Sequence, residues 1–275
     1  MARHYSLDPA MPVLVRPDGI VQFGWDPRRA VVVRPPHGVS AAALAEVLRL
    51  MQAGTRVDSL VRKAGVAVDD FSTLVDALIR AGIVSLNRTE GPPRAPAIQV
   101  HGRGPLSDLL IDALRCSGAR IKHTTHTHAV LRPERTDLVV LADYLVADPR
   151  LLRELHDTRI PHLQARVRDG VGLIGPLVLP GLTSCLGCAD LHRSDRDKHW
   201  PAVAAQLRDT VGTADRATVL ATAALALSQI DTVLGAIRGV AELRPPATLS
   251  TTLEFDAATS SIATRHWPRH PLCGC

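Results

Sequence analysis

Apolar and polar positions alternate along this chain with two periods, and the changes between them mark its elements. Val13-Leu14-Val15 precedes Pro17-Asp18-Gly19, a turn in which glycine supplies a positive φ. Ile20–Trp25 reads as a second strand, Asp26-Pro27 turns again, and Ala30–Val33 reads as a third. The period then becomes helical. Ser40 is a candidate N-cap, Leu44, Val47, Leu48 and Met51 form one stripe, and Gly54 ends it. A short helix is predicted over Val57–Ala64. A third begins at Asp69 or Asp70, turns Leu74, Val75, Leu78 and Ile79 inward and stops at Gly82. Ile83–Leu86 is extended. Strands followed by three short helices predict a small winged-helix-like module.

The seam from Leu86 to Ala97 holds Gly91, Pro92, Pro93 and Pro96 and few apolar anchors, which reads as a linker. The expected division is a module over 1–88, a linker over 89–96 and a larger domain over 97–275. In that domain strands and helices take turns. Ile98–Val100, Arg120–Lys122, Asp137–Ala142 and His162–Val167 read as extended, and Leu106–Cys116 and Pro149–His156 as helices. Val171–Leu179, with Gly172 and Gly175, reads as a hairpin. Helical runs cover Ala202–Arg208 and Ala214–Ile237, and two extended segments follow near Leu249–Phe255 and Ser261–Trp267. The alternation predicts an α/β domain with a mainly parallel sheet.

Composition narrows the classes. The 275 residues are 46% hydrophobic and 21% charged, the profile of a folded chain. With aromatics at 3%, the core must be built from Val, Leu, Ile and Ala. No uninterrupted run reaches the roughly 18 apolar residues of a membrane span. Ala217–Ala226, the most apolar run, is broken by Thr218 and Thr222. Met1–Leu7 has no secretory pattern, so the expectation is a cytoplasmic protein without a membrane partner. A formal charge of +5 with scattered basic residues is not the concentrated stripe of a nucleic-acid binder. The predicted third helix agrees, since it begins Asp69-Asp70, carries Asp76 and has only Arg80 late, where groove-reading helices place Arg, Lys, Asn or Gln. A DNA-binding regulator is kept as a rival reading. The competing use is acceptance of a peptide as an added strand.

Four of the five cysteines fall in two tight pairs, Cys185-Leu-Gly-Cys188 and Cys273-Gly-Cys275. Two such pairs complete the thiolate tetrahedron of structural zinc and leave no position for a reacting water. The alternatives are four free buried thiols or a redox pair. Cys116 reads as a core thiol. Gly102-Arg103-Gly104-Pro-Leu-Ser107 follows a strand and opens a helix, where a phosphate-cradling loop belongs. Ser107 replaces its third glycine, and Lys122-His123-Thr124-Thr125 stand where an acid would grip a ribose, which argues against NAD. A tight turn with Pro105 at the first helical position explains the loop equally well. His123, His126 and His128 read as solvated histidines.

The stretch from Gly175 through Cys185 and Cys188 to His192-Arg-Ser-Asp-Arg-Asp197 and Trp200-Pro201 resembles the ThiF-like component of azole-forming peptide cyclodehydratases. His270-Pro-Leu-Cys273-Gly-Cys275 resembles that group's second zinc pair, and the N-terminal module is similar to its PqqD-like leader-recognition element. The resemblance implies a Rossmann-type α/β domain with structural zinc at Cys185, Cys188, Cys273 and Cys275. It also implies a homodimer, a leader-peptide ligand and a separate YcaO-type enzyme that cyclises the ribosomally made, bacteriocin-type precursor. Active ThiF-like adenylating enzymes carry a fuller glycine loop, a ribose acid, an Asn-Arg pair and two aspartates three apart. Here Asp143 matches the first aspartate, but Val146 replaces the second. What would remain of a nucleotide site is Gly102, Arg103, Gly104 and Asp143. The expectation is a non-catalytic scaffold, with an ATP-dependent adenylating enzyme as the alternative. Peptide contacts are expected at Val31, Val33, Phe71, Leu74 and Leu78, the last three equally readable as core, with Arg28 and Arg29 facing acidic leader residues.

Overall fold

The computed structural model describes residues 4–52, 68–80, 83–87, 94–125, 133–239 and 244–275. The helix expected at Val57–Ala64, most of the linker, and His126 and His128 lie outside the described residues. The chain divides into two compact units, one formed by 1–93 with 238–243 and the other by 94–237 with 244–275.

In the first unit β1 (His4–Leu7) pairs antiparallel with β5 (Val84–Asn87). Strands β2 (Val13–Val15), β3 (Val21–Phe23) and β4 (Val31–Val33) form an antiparallel meander in that order. The first turn is the one predicted, with Gly19 at φ 77°. Val21 and Phe23 point one way and are fully buried, while Gln22 points the other. Helix α1 (Ala41–Gln52) is capped as expected, the Ser40 hydroxyl accepting from the Ala43 amide at 3.1 Å. Its predicted stripe, joined by Val75 and Leu78 of α2 (Val68–Arg80), closes over β3. Strand β1 was not foreseen, because His4-Tyr5-Ser6-Leu7 is only four residues long and its partner lies some eighty residues away; it exists through its pairing with β5.

The second unit is a seven-stranded sheet. Its strands are β6 (Ala97–His101), β7 (Arg120–Thr124), β8 (Leu138–Ala142), β9 (His162–Arg168), β10 (Val171–Val178), β11 (Thr251–Asp256) and β12 (Ser261–His266). The spatial order is β12-β11-β10-β9-β8-β6-β7. The four strands from β7 to β9 run parallel, and β10, β11 and β12 add antiparallel. The sheet is therefore mixed, not mainly parallel. Asp169 and Gly170, both at positive φ, join β9 to β10, and a two-residue connection permits only a hairpin. Val171–Leu179 is accordingly not a hairpin in itself but mostly one strand, with a bulge between Ile174 and Leu177.

Helices α3 (Pro105–Leu114) and α7 (Arg216–Ile237) cover one face, and α4 (Pro149–Asp157) and α5 (Leu186–Arg196) cover the other. Leu138, Val140 and Ala142 of β8 serve the first face, Val139 and Leu141 the second. That double burial explains the unbroken apolar run of the strand. Helix α7 lies close on β10, where a Cβ at Gly172 would stand 2.0 Å from the Thr222 hydroxyl oxygen. Among the described residues α7 is the one helix long and apolar enough to cross a bilayer, although its sequence held no long uninterrupted run. Its buried side chains pack on the sheet. Helix α5 was not foreseen; it starts where the Cys185 sulfur accepts the Cys188 amide at 3.4 Å, a cap supplied by a thiol. Helix α6 (Trp200–Leu207) follows.

Candidate functional site

The four paired cysteines converge. Cys185 and Cys188 sit at the start of α5, Cys273 and Cys275 in the tail after β12. Their sulfurs lie 3.8 Å apart for Cys185–Cys188, 3.5 Å for Cys185–Cys273 and 3.4 Å for Cys188–Cys275. Zn–S bonds of about 2.3 Å place tetrahedral sulfurs about 3.8 Å apart, whereas a disulfide needs about 2.05 Å. All five cysteines are free thiols. Burial pushes the Cys185 thiol up and holds that of Cys275 at about 11. Burial also opposes ionisation of Cys188, but hydrogen bonds led by the His270 backbone outweigh it and bring the thiol to about 7. A donor set of four thiols converging at this spacing fits zinc.

The tail that carries Cys273 and Cys275 is fastened residue by residue. Trp267 is buried, its amide donating to Ser250 O at 2.8 Å and its indole N–H to the Thr252 hydroxyl at 3.0 Å. Arg269 donates to Gly181 O at 2.6 Å, and His270 Nε2 meets Asp195 at 2.9 Å. The His192 ring packs edge-on against that of His270, with centroids 4.7 Å apart. Arg193 lies between Trp200 and Trp267, at 5.2 and 4.7 Å from the ring centroids. Asp190 holds that arginine at 2.8 Å and the Trp200 indole N–H at 3.2 Å. The motif residues between the two cysteine pairs thus bind the chain end to α5. His192, Asp195 and His270 were quoted only for resemblance, because their contacts span most of the second unit.

The glycine loop is a turn filled by its own chain. Asp143 follows β8 at φ 69° and is 1% exposed. Its carboxylate oxygens accept the amides of Leu106 at 2.9 Å and Ser107 at 3.1 Å, the first turn of α3. The Ser107 hydroxyl accepts the Gly104 amide at 3.1 Å, and the Gly102 amide donates to Thr124 O at 3.0 Å. Pro105 has no amide hydrogen. Four of the loop's donors, the amides of Gly102, Gly104, Leu106 and Ser107, are thus engaged within the chain at this helix terminus. A Cβ at Gly102 would stand 2.6 Å from Ala142 O, and one at Gly104 2.8 Å from the Asp143 carboxylate. Both glycines are therefore demanded by close packing on the end of β8. Arg103 is exposed. His123 lies beside the loop, its Nε2 2.9 Å from Gly102 O. The crevice at the carboxyl end of the parallel strands, between His101, Tyr144, Gln164 and Arg208, holds about 40 Å³. Ligand pockets occupy about 300–1,000 Å³.

In the first unit Arg28 and Arg29 are exposed in the turn before β4. Val31 and Val33 lean on the core while Val32 is 54% exposed. Among the described residues β4 pairs only with β3, which leaves its outer edge open. Leu78 is buried in the core, the second of its two expected readings. Phe71 and Leu74 stand on α2, and their side chains lie outside the described part of the structure.

No protein-family model and no curated protein matches the sequence. Solved structures do. The heterocyclase TruD superposes with a TM-score of 0.65 at 16% identity, over 99% of this chain and 42% of its own. A heterocyclase in complex with substrate and cofactor gives 0.66 at 16%, over 100% and 39%. Escherichia coli MccB with ATP gives 0.56 at 11%, over 98% of both chains. The fold is the one these proteins share. The chain spans about two-fifths of the heterocyclases and nearly all of MccB.

Proposed function

We propose that the protein is a leader-peptide-binding scaffold of a peptide-modifying system, which holds a precursor for a separate YcaO-type enzyme and performs no adenylation itself. The observation that carries this reading is Asp143. In a fold shared with ATP-bound MccB, a carboxylate of this chain sits on the helix terminus that would receive phosphate. A second anion there would meet the like charge of Asp143, with the amides of Gly102, Gly104, Leu106 and Ser107 already engaged. Adenylation also needs groups that carry phosphate charge in the transition state, and Val146 stands where the resemblance requires an acid.

Likeness to a heterocyclase solved with substrate and to the microcin C7 biosynthetic enzyme MccB solved with N-formylated MccA supports a peptide ligand. The first unit, read as a PqqD-like winged helix, offers it the open edge of β4. A strand added there hydrogen-bonds to the backbone, sets side chains alternately toward Val32 and toward the core face, and passes Arg28 and Arg29. Zinc at the four cysteines is structural in this reading: a full thiolate set activates no water. The homodimer belongs to the same proposal. Deleting residues 1–88 is expected to abolish precursor binding, read by fluorescence anisotropy with a labelled precursor peptide, while the zinc-bearing unit keeps its metal. Undiminished affinity in the truncated protein would refute the assignment.

A further inference from the structure

Strand β9, His162-Leu-Gln-Ala-Arg-Val-Arg168, alternates in a way its neighbours do not. Leu163, Ala165 and Val167 enter the core under α3 and α7. His162, Gln164 and Arg166 therefore face the opposite layer, and all three are buried, at 0%, 2% and 8% exposure. The row is poorly satisfied. His162 Nδ1 is engaged with Ile160 O at 3.0 Å, but Nε2 has no partner, and neither has Gln164 Oε1. Arg166 makes no hydrogen bond or ion pair among the described residues. Burial lowers its pKa to about 9, which leaves the guanidinium charged at neutral pH. Asp190 lies near, but its Oδ1 is committed to Arg193 and Trp200.

Above this row the structure is hollow. Gln164, Arg166, Asp190 and Arg193 border a chamber of about 20 Å³, room for one water-sized group. Val146, Ala147, Leu152 and Leu186 line both the chamber and a cleft of about 520 Å³ running between α4, α5 and α6 beside the cysteine cluster. That volume is the size of a small-molecule site. The cleft walls are mainly apolar. Arg208 also lines it, with a buried Nε that has no partner. Buried guanidinium groups without an anion are strongly disfavoured, and one correctly placed acid relieves them. An apolar cleft with the unpartnered Nε of Arg208 in its wall, adjoining a chamber that holds the buried Arg166 guanidinium, selects for an apolar body with an acidic head.

We propose that this cleft is a binding site for an apolar ligand bearing one carboxylate, with the acid directed to Arg208 and Arg166 and the body along α4, α5 and α6. The site lies wholly within the second unit, so it stands or falls separately from leader binding by the first. Free carboxylic acids and the carboxyl end of a peptide share this chemistry. Calorimetric titration of the zinc-loaded protein separates them, using octanoate against octan-1-ol, and acetyl-Leu-Leu as free acid against its amide. The expected result is that at least one acid binds tenfold or more tightly than its neutral twin. The acid that binds names the source. Arg208→Met and Arg166→Met are each expected to weaken that acid tenfold without changing the neutral compound. Arg166→Met keeps the side-chain volume and removes a buried charge, so it folds. Equal binding of acid and neutral twin, no binding of any compound, or acid affinity unchanged in both variants would overturn the proposal, the last result leaving water as the chamber's occupant.

Discussion

Replacing Cys188 by serine is expected to strip the metal from the protein and to unfold much of the second unit. Four converging sulfurs, 3.4 to 3.8 Å apart in the Cys185–Cys188, Cys185–Cys273 and Cys188–Cys275 pairs, are arranged for one ion. Structural zinc contributes on the order of 10–16 kcal/mol in small zinc-folded peptides, comparable with the whole stability of a domain, about 5–15 kcal/mol. Cys188 is also fully buried and packs with Val139, Leu141 and Leu186 against α4. Without the ion, the tail from Trp267 to Cys275 is left to the contacts of Trp267, Pro268, Arg269 and His270, all upstream of Cys273. Elemental analysis is expected to give one zinc per chain in the native protein and well under one in Cys188→Ser. The melting temperature is expected to fall by at least 10 °C. Native protein that holds no zinc, or a variant that melts as the native protein does, would refute a structural metal centre.

The second large effect is expected at Asp143. Its carboxylate makes two buried, charge-assisted bonds to the first turn of α3. Asp143→Ala leaves both amides without an acceptor and removes the negative charge that opposes the helix dipole. Hydrogen bonds to charged groups are worth about 1.5–3 kcal/mol each, and unsatisfied buried donors cost about 1–3 kcal/mol. A loss of about 3 kcal/mol is expected in urea unfolding. Asp143→Asn keeps an acceptor and is expected to lose about half as much. A change below about 0.5 kcal/mol for the alanine variant would mean that the cap does not hold the loop.

The sequence made some of these features plain and hid others, for physical reasons. The cysteine pairs were legible because metal ligation imposes local spacing, and the tetrahedral set then follows from counting. The stripes of α1 and α2 and the buried run of β8 were legible because burial period is local. Asp169-Gly170 was also a local signal, an Asp-Gly of the kind two-residue hairpins favour, yet Gly172 and Gly175 drew the hairpin two positions too late. Those glycines answer to tertiary contacts, Thr222 for one and the Thr251 backbone for the other. The strand–helix alternation made the sheet appear mainly parallel, because it holds only for the strands up to β9 and the antiparallel β10, β11 and β12 follow it. Asp143 was singled out, but not as a helix cap. Its sequence position marks it as the match to the first aspartate of the family's pair; its positive φ and its bonds to a helix start almost forty residues upstream are tertiary and were not legible. The alternation of β9 was visible in principle. Read as a half-exposed strand, however, it gives no hint that His162, Gln164 and Arg166 are buried and short of partners.

Calorimetric titration of the zinc-loaded protein with Mg·ATP tests the account most directly. With Asp143 on the α3 terminus and about 40 Å³ in the crevice beside it, no saturable heat is expected at millimolar nucleotide, and no pyrophosphate exchange. Saturable binding abolished by Gly104→Asp would contradict the account, because the glycine loop would then be a working nucleotide site and the protein an adenylating enzyme.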